Sequence, residues 1–182
     1  MRRIIIPVCI ARCLPGAACA PTKVKVYAKC NTKNVCEAGA EAEWALQRSG
    51  TTSFKSGSTF SASELYFDIS GTSIPVTANS GTIFVIAKLA DGSTAANTFS
   101  WTKSGTSLIP SNPAAIDAWL ANYDGVVVSI ETELQDIVVA QVNGNNTFAA
   151  VAMHNSSSMG SASASWYYGG NPGDPKPPTQ EQ

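Results

Sequence analysis

GVVVSIETELQDIVVAQVNGNNTFAAVAMH, residues 125–154, carries the strongest β signal in the chain and sets the expected fold. Gly125 to Glu131 reads as one strand, Asp136 to Val142 as a second and Thr147 to His154 as a third. Each is a short run of apolar, largely β-branched residues. Asn143-Gly144-Asn145-Asn146 lies between the last two, and Asn-Gly supplies the positive φ angles of a tight turn. The expectation is a β-hairpin with one further strand just before it.

The same texture extends upstream. SELYFDIS (63–70), SIPVT (73–77) and TIFVIAKLA (82–90) are short, apolar and bounded by Gly, Ser and Asn. Asp91-Gly92 marks a turn after the third. Two segments read as helices. Residues 37–48, EAGAEAEWALQR, are rich in good helix formers, with acids at the N-terminal end and Arg48 at the other. Residues 113–123 have Asn112 as cap, Pro113 in the first turn and Gly125 beyond the end. Ile116, Trp119, Leu120 and Tyr123 give that helix one apolar face. Residues 155–165 read as a loop or a flat strand with few register signals. With N-terminal strands included, seven to ten strands are expected. The predicted fold is mainly β, a two-sheet β-sandwich (Ig-like or jelly-roll-like) with two short helices and an extended N-terminal arm.

The chain divides into a basic segment, 1–36, a body, 37–170, and a Pro-rich tail, 171–182. Its 182 residues suit one domain with an arm. Charged residues are only 14%, with 21 Ser and 15 Thr in their place. Yet the charge is unevenly spread. Arg2, Arg3, Arg12, Lys23, Lys25, Lys29 and Lys33 give residues 1–36 a net +7 with no acid, and the remainder carries −8. Such a split suits a basic arm on an anionic surface: nucleic acid, lipid headgroups or the acidic body of a neighbouring copy. A plain strand with lysines on one face fits equally, since Val24, Val26 and Ala28 alternate with Lys23, Lys25 and Lys29.

All five cysteines, Cys9, Cys13, Cys19, Cys30 and Cys36, also lie in the basic segment. Their spacing has no CxxC and the lone His154 is distant, so structural zinc is not expected. The expected default is buried, unpaired thiols acting as small hydrophobes, although Cys30 and Cys36 are near enough in sequence to be bridged across a short loop if the geometry allows. The longest apolar run, Ile4–Ile10, is far short of the ~20 residues of a membrane-spanning helix. Arg12, Pro7 and Pro15 interrupt any signal-peptide pattern, so RRIIIPVCIARC reads as a retained strand or arm.

No residue set names a reaction. His154 has serines nearby in sequence but no GxSxG elbow. Ser100–Lys103 fits SxxK, but the overlapping KSG leaves no separate second motif. Glu131 and Glu133 can face one way on a strand, where a solvated edge explains them as well as a catalytic pair. No cofactor is expected. Trp166, Tyr167 and Tyr168 are candidates for core or for interface anchors.

GTSIPVTANSGTIFVIAKLADGSTAANTFSW, residues 71–101, resembles the β-sandwich decoration, head-fibre or tail proteins of tailed bacteriophages. The resemblance is one of style and spans roughly residues 57–170. It implies a non-enzymatic structural subunit of a virion, assembling with copies of itself and other virion proteins through arm and tail. The candidate contacts are Arg2, Arg3, Lys23, Lys25, Lys29, Lys33, Trp166, Tyr167 and Tyr168. Nucleic acid is a further possible partner of the arm. The second reading is a bacterial surface module, pilin-like or sugar-binding.

Overall fold

The computed structural model describes residues 23–30, 35–45 and 54–169. In these residues nine strands run in chain order: β1 Lys23–Cys30, β2 Val35–Ala45, β3 Leu65–Asp68, β4 Ser80–Leu89, β5 Thr94–Ser104, β6 Ser107–Pro110, β7 Val127–Ala140, β8 Gly144–His154 and β9 Ser157–Tyr168. Among the described residues one α-helix, α1 (Pro113–Leu120), is extended by a 3-10 turn at Ala121–Tyr123, and a second 3-10 turn spans Ala62–Glu64. All nine strands belong to one antiparallel sheet, in the order β1-β2-β7-β4-β5-β6-β3-β8-β9. The expected mainly β class is observed, but the strands form one continuous sheet, curled until it nearly closes into a barrel.

An odd number of antiparallel strands leaves the first and last parallel. β1 and β9 therefore run the same way where the sheet curls back and brings them together. Small residues permit the curl. Ala28, Ala38, Ala40, Ala42, Ala150, Ala152 and Ala164 are all buried, so the walls carrying β1, β2, β8 and β9 can approach closely. Trp44, Phe60, Phe67, Trp101, Leu134 and Phe148 fill the wider interior. Burying side chains of this size typically contributes about 2–3 kcal/mol each.

The segment 37–48, expected as a helix, is instead β2 through Ala45. Its period is two, with Cys36, Ala38, Ala40, Ala42 and Trp44 buried and Glu37, Glu41 and Glu43 on the opposite, half-buried face. Tertiary pairing overrides the helix propensity of Ala and Glu. The Trp44 indole donates to Thr132 Oγ1 of β7 at 3.0 Å, deep in the core.

The expected hairpin across Asn143-Gly144 does not form. β7 pairs with β2 and β4, and β8 with β3 and β9. The turn is a corner that carries the chain to the opposite wall. Asn146 holds it: its amide donates to Val142 O at 3.0 Å and accepts from Val142 N at 2.9 Å. The two runs predicted within residues 125–142 fuse into the single long β7. A bulge at Gln135-Asp136 interrupts it opposite Gly39, with Asp136 at φ 67°. The true hairpin of β8 is with β9, through Asn155-Ser156, both at positive φ.

SIPVT (73–77), expected as a strand, makes only an isolated bridge from Val76 to Val139, while the turn and helix signals hold. Asp91-Gly92 turns β4 into β5, with Gly92 at φ 90°. Asn112 Oδ1 caps α1 by accepting from Ala115 N at 3.3 Å, and Ile116 and Leu120 are buried. Asp117 Oδ1 accepts from Ala62 N at 2.9 Å, which ties α1 to the 3-10 turn before β3. These helical pieces cover one end of the barrel, here the cap end, together with Trp44, Phe60 and His154. The opposite end carries Cys30 and Cys36, the end of β7 and the end of β9.

Candidate functional site

Lys23, Lys25 and Lys29 lie on β1, the first strand of the barrel, and alternate there with Val24, Val26 and Ala28. In register they face the glutamates of β2: Lys23 opposite Glu43, Lys25 opposite Glu41, Lys29 opposite Glu37. Opposite charges directly across an antiparallel pair stabilise the sheet by roughly 0.2–1 kcal/mol each. The next strand continues the acidic rows, with Glu131 opposite Glu43 and Glu133 opposite Glu41. Lys88 closes the array from β4, its ammonium 2.9 Å from Glu43 Oε2, and this bond raises the lysine above its usual range. The face is a neutralising lattice of Lys and Glu on this chain. Glu131 and Glu133 belong to it, on the outside of the sheet, and Glu133 also accepts from Gln135 Nε2 at 2.9 Å.

Tyr27 is the fourth outward side chain of β1 and lies opposite Gly39. Its ring covers that glycine so closely that a Cβ there would collide with the ring edge at Cε1 and Cζ. Partial burial pushes the phenol up to about 12, with Glu133, Glu37, Glu41 and Asp136 adding to the effect. The signal was present in the sequence, because Gly39 breaks the Glu-x-Glu alternation opposite the one aromatic residue of β1.

The three C-terminal aromatics separate. Trp166 and Tyr168 point inward and are buried, and the Trp166 indole donates to Gln141 Oε1 at 2.7 Å. Tyr167 points outward and is 69% exposed. Among the candidate contacts, Tyr167 therefore presents an open aromatic face near the Cys30–Cys36 end. Those two cysteines are directly opposed in the β1–β2 register and form a disulfide, in place of the unpaired thiols expected. Arg2, Arg3 and Lys33 lie outside the described residues.

His154 lies at the cap end with its ring 5.4 Å from Phe60 and 6.0 Å from Trp44. Its Nε2 is buried with no hydrogen-bond partner, and Glu64 Oε1 is 3.9 Å away. Burial holds the imidazole below its usual range, against the pull of Glu64 and of the Ser61 backbone. A neutral imidazole wedged between aromatic rings is a packing element. No group of three or more His, Cys, Asp or Glu able to hold a metal occurs among the described residues. No helix among them is long and apolar enough to cross a membrane.

The fold and this surface define a small antiparallel near-barrel with a charge-paired outer face. No protein-family model, no characterised protein and no solved structure matches the chain.

Proposed function

We propose that this chain is a non-enzymatic structural subunit of a virus or phage particle, a capsid, decoration, fibre or tail component. It assembles through its N-terminal arm and C-terminal tail with copies of itself and other virion proteins. One observation carries the reading. The backbone enters the barrel at Lys23 on the cap end and leaves after Tyr168 at the opposite end. Segments attached at opposite ends link copies head to tail, the geometry of heterologous assembly. Charge supports it. Lys23, Lys25 and Lys29 are matched by glutamates on β2, whereas Arg2, Arg3 and Arg12 precede the barrel in a stretch with no acid. Those arginines provide the charge for contact with a neighbour's acidic surface or with nucleic acid.

Deleting residues 1–20 tests this. The shortened protein should keep the far-ultraviolet circular dichroism of a β fold and lose assembly. An arm-less chain that assembles like the full one would sink the proposal. If the arm contacts nucleic acid, binding should weaken steeply with salt.

A surface carbohydrate-binding module is the second reading, and the exposure of Tyr167 favours it. A glycan array probed with the folded protein and with Tyr167→Ala separates the two. Sugar binding that the substitution abolishes would support this second reading.

A further inference from the structure

We propose that β5 is a self-pairing edge, through which two copies of this chain join antiparallel across a two-fold axis at Asn97. β4 pairs with β5 from Thr94 to Thr102, while β6 reaches only Trp101–Ser104 on the other side. Among the described residues, 94–100 thus form a sheet edge with one side unpaired except at Ser100, whose carbonyl accepts from Ser111 N at 2.9 Å. Two bonds establish which groups face the open side. Ser100 O is directed there, and Thr98 N–H is turned from β4 and satisfied by the neighbouring Asn97 Oδ1 at 2.8 Å. With the alternation of an antiparallel ladder, Thr94, Ala96, Thr98 and Ser100 direct their backbone groups outward. Thr94, Ala96, Asn97, Thr98 and Ser100 are exposed.

Natural sheet edges are normally guarded by charge, proline or a bulge. This one has none of these. There is no charged residue or proline from Gly92 to Thr102, and the β4–β5 register runs without a shift. The edge of β1 contrasts, with lysines at alternate positions that would be brought together by self-pairing.

The occupant follows from the edge itself. A two-fold axis at Asn97 places Ala96 opposite Thr98 of the second copy, so that each exchanges its N–H and C=O with the other. Thr98 N–H then leaves Asn97 Oδ1 for a backbone carbonyl. Asn97 meets the second copy's Asn97, amide to amide. Ala95 meets Phe99, small against large, and the ladder ends there, because Ser111 occupies the open side at Ser100. No like charges oppose one another at any position. The pairing is isologous and therefore closes at two copies.

This interface goes beyond the arm and tail reading and is separable from it. High salt weakens charged arm contacts and leaves an uncharged backbone ladder in place. The test is the light-scattering mass of the full chain in high salt. The expected mass is twice 19.0 kDa. Asn97→Lys and Asn97→Glu should each halve it, by placing like charges on the axis. Mixing the two variants should restore it, because the axis then joins opposite charges. Ala96→Pro, which removes a donor from the open side only, should also halve it, with unchanged circular dichroism. A single-chain mass for the parent protein would overturn the proposal. So would single variants that keep the parent mass, or a mixture that does not recover it.

Discussion

Thr132→Val probes the contact that distinguishes strand from helix at residues 35–45. Thr132 is fully buried on β7 and accepts the Trp44 indole N–H at 3.0 Å. Valine keeps the shape and removes the acceptor, leaving a buried N–H unpaired. Stranding one buried donor costs about 1–3 kcal/mol, so a loss of about 2 kcal/mol is expected. Trp44→Phe removes the donor instead and adds the cost of a void. In the double variant no donor is stranded, so the two losses should fall short of additivity by about 1–2 kcal/mol. Urea denaturation followed by circular dichroism measures all three variants, with the denaturant slope as a check on two-state behaviour. A coupling below about 0.3 kcal/mol would mean that the two side chains do not meet, and β2 would not lie beside β7 as described.

Gly81→Ala should be severe. A Cβ there would lie 2.6 Å from Gln135 O and would meet the Trp101 indole, which donates to that same carbonyl at 2.7 Å. A loss of about 3 kcal/mol, or roughly 10 °C in Tm, is expected by calorimetry; a change within 2 °C, as an order of magnitude, would contradict the packing. Tyr27 should titrate at about 12 in an absorbance titration at high pH, and Tyr27→Phe should remove that step. Because its folded value lies above the unfolded 10.0, the stability it confers is intact below pH 10 and lost as the pH rises toward 12. His154 has the opposite sense for a base. Its folded value is depressed, so stability should be full above about pH 6.5 and fall as acid forces a proton into the aromatic pocket. His154→Leu should flatten that slope between about pH 5 and 7. A protein that gains stability on acidification there would show that attraction to Glu64 outweighs burial.

Much of the β texture was legible because it is local. TIFVIAKLA and Asp91-Gly92 mark β4 and its turn by composition alone, and Asn112-Pro113 starts α1 by capping chemistry. What escaped was non-local. EAGAEAEWA suits a helix until β1 supplies lysines opposite its glutamates and β7 supplies Thr132 for its tryptophan. Asn143-Gly144 looks like a hairpin until Asn146 folds its side chain back to brace a corner. Which strand lies beside which is decided by partners tens of residues away, and alternation carries no record of that. The site divides likewise. The lysine face of β1 could be read from its period, but its glutamate partners could not. Nor could composition show that Tyr167 alone of three consecutive aromatics faces outward. The open edge of β5 became visible only when β6 proved to cover four of its eleven residues.

The most direct test of the assembly reading is the mass of the full chain in solution, by light scattering after size exclusion, at low and at high salt. A defined oligomer at low salt, falling to a pair of chains at high salt, is the predicted result. A 19.0 kDa monomer at both would contradict it.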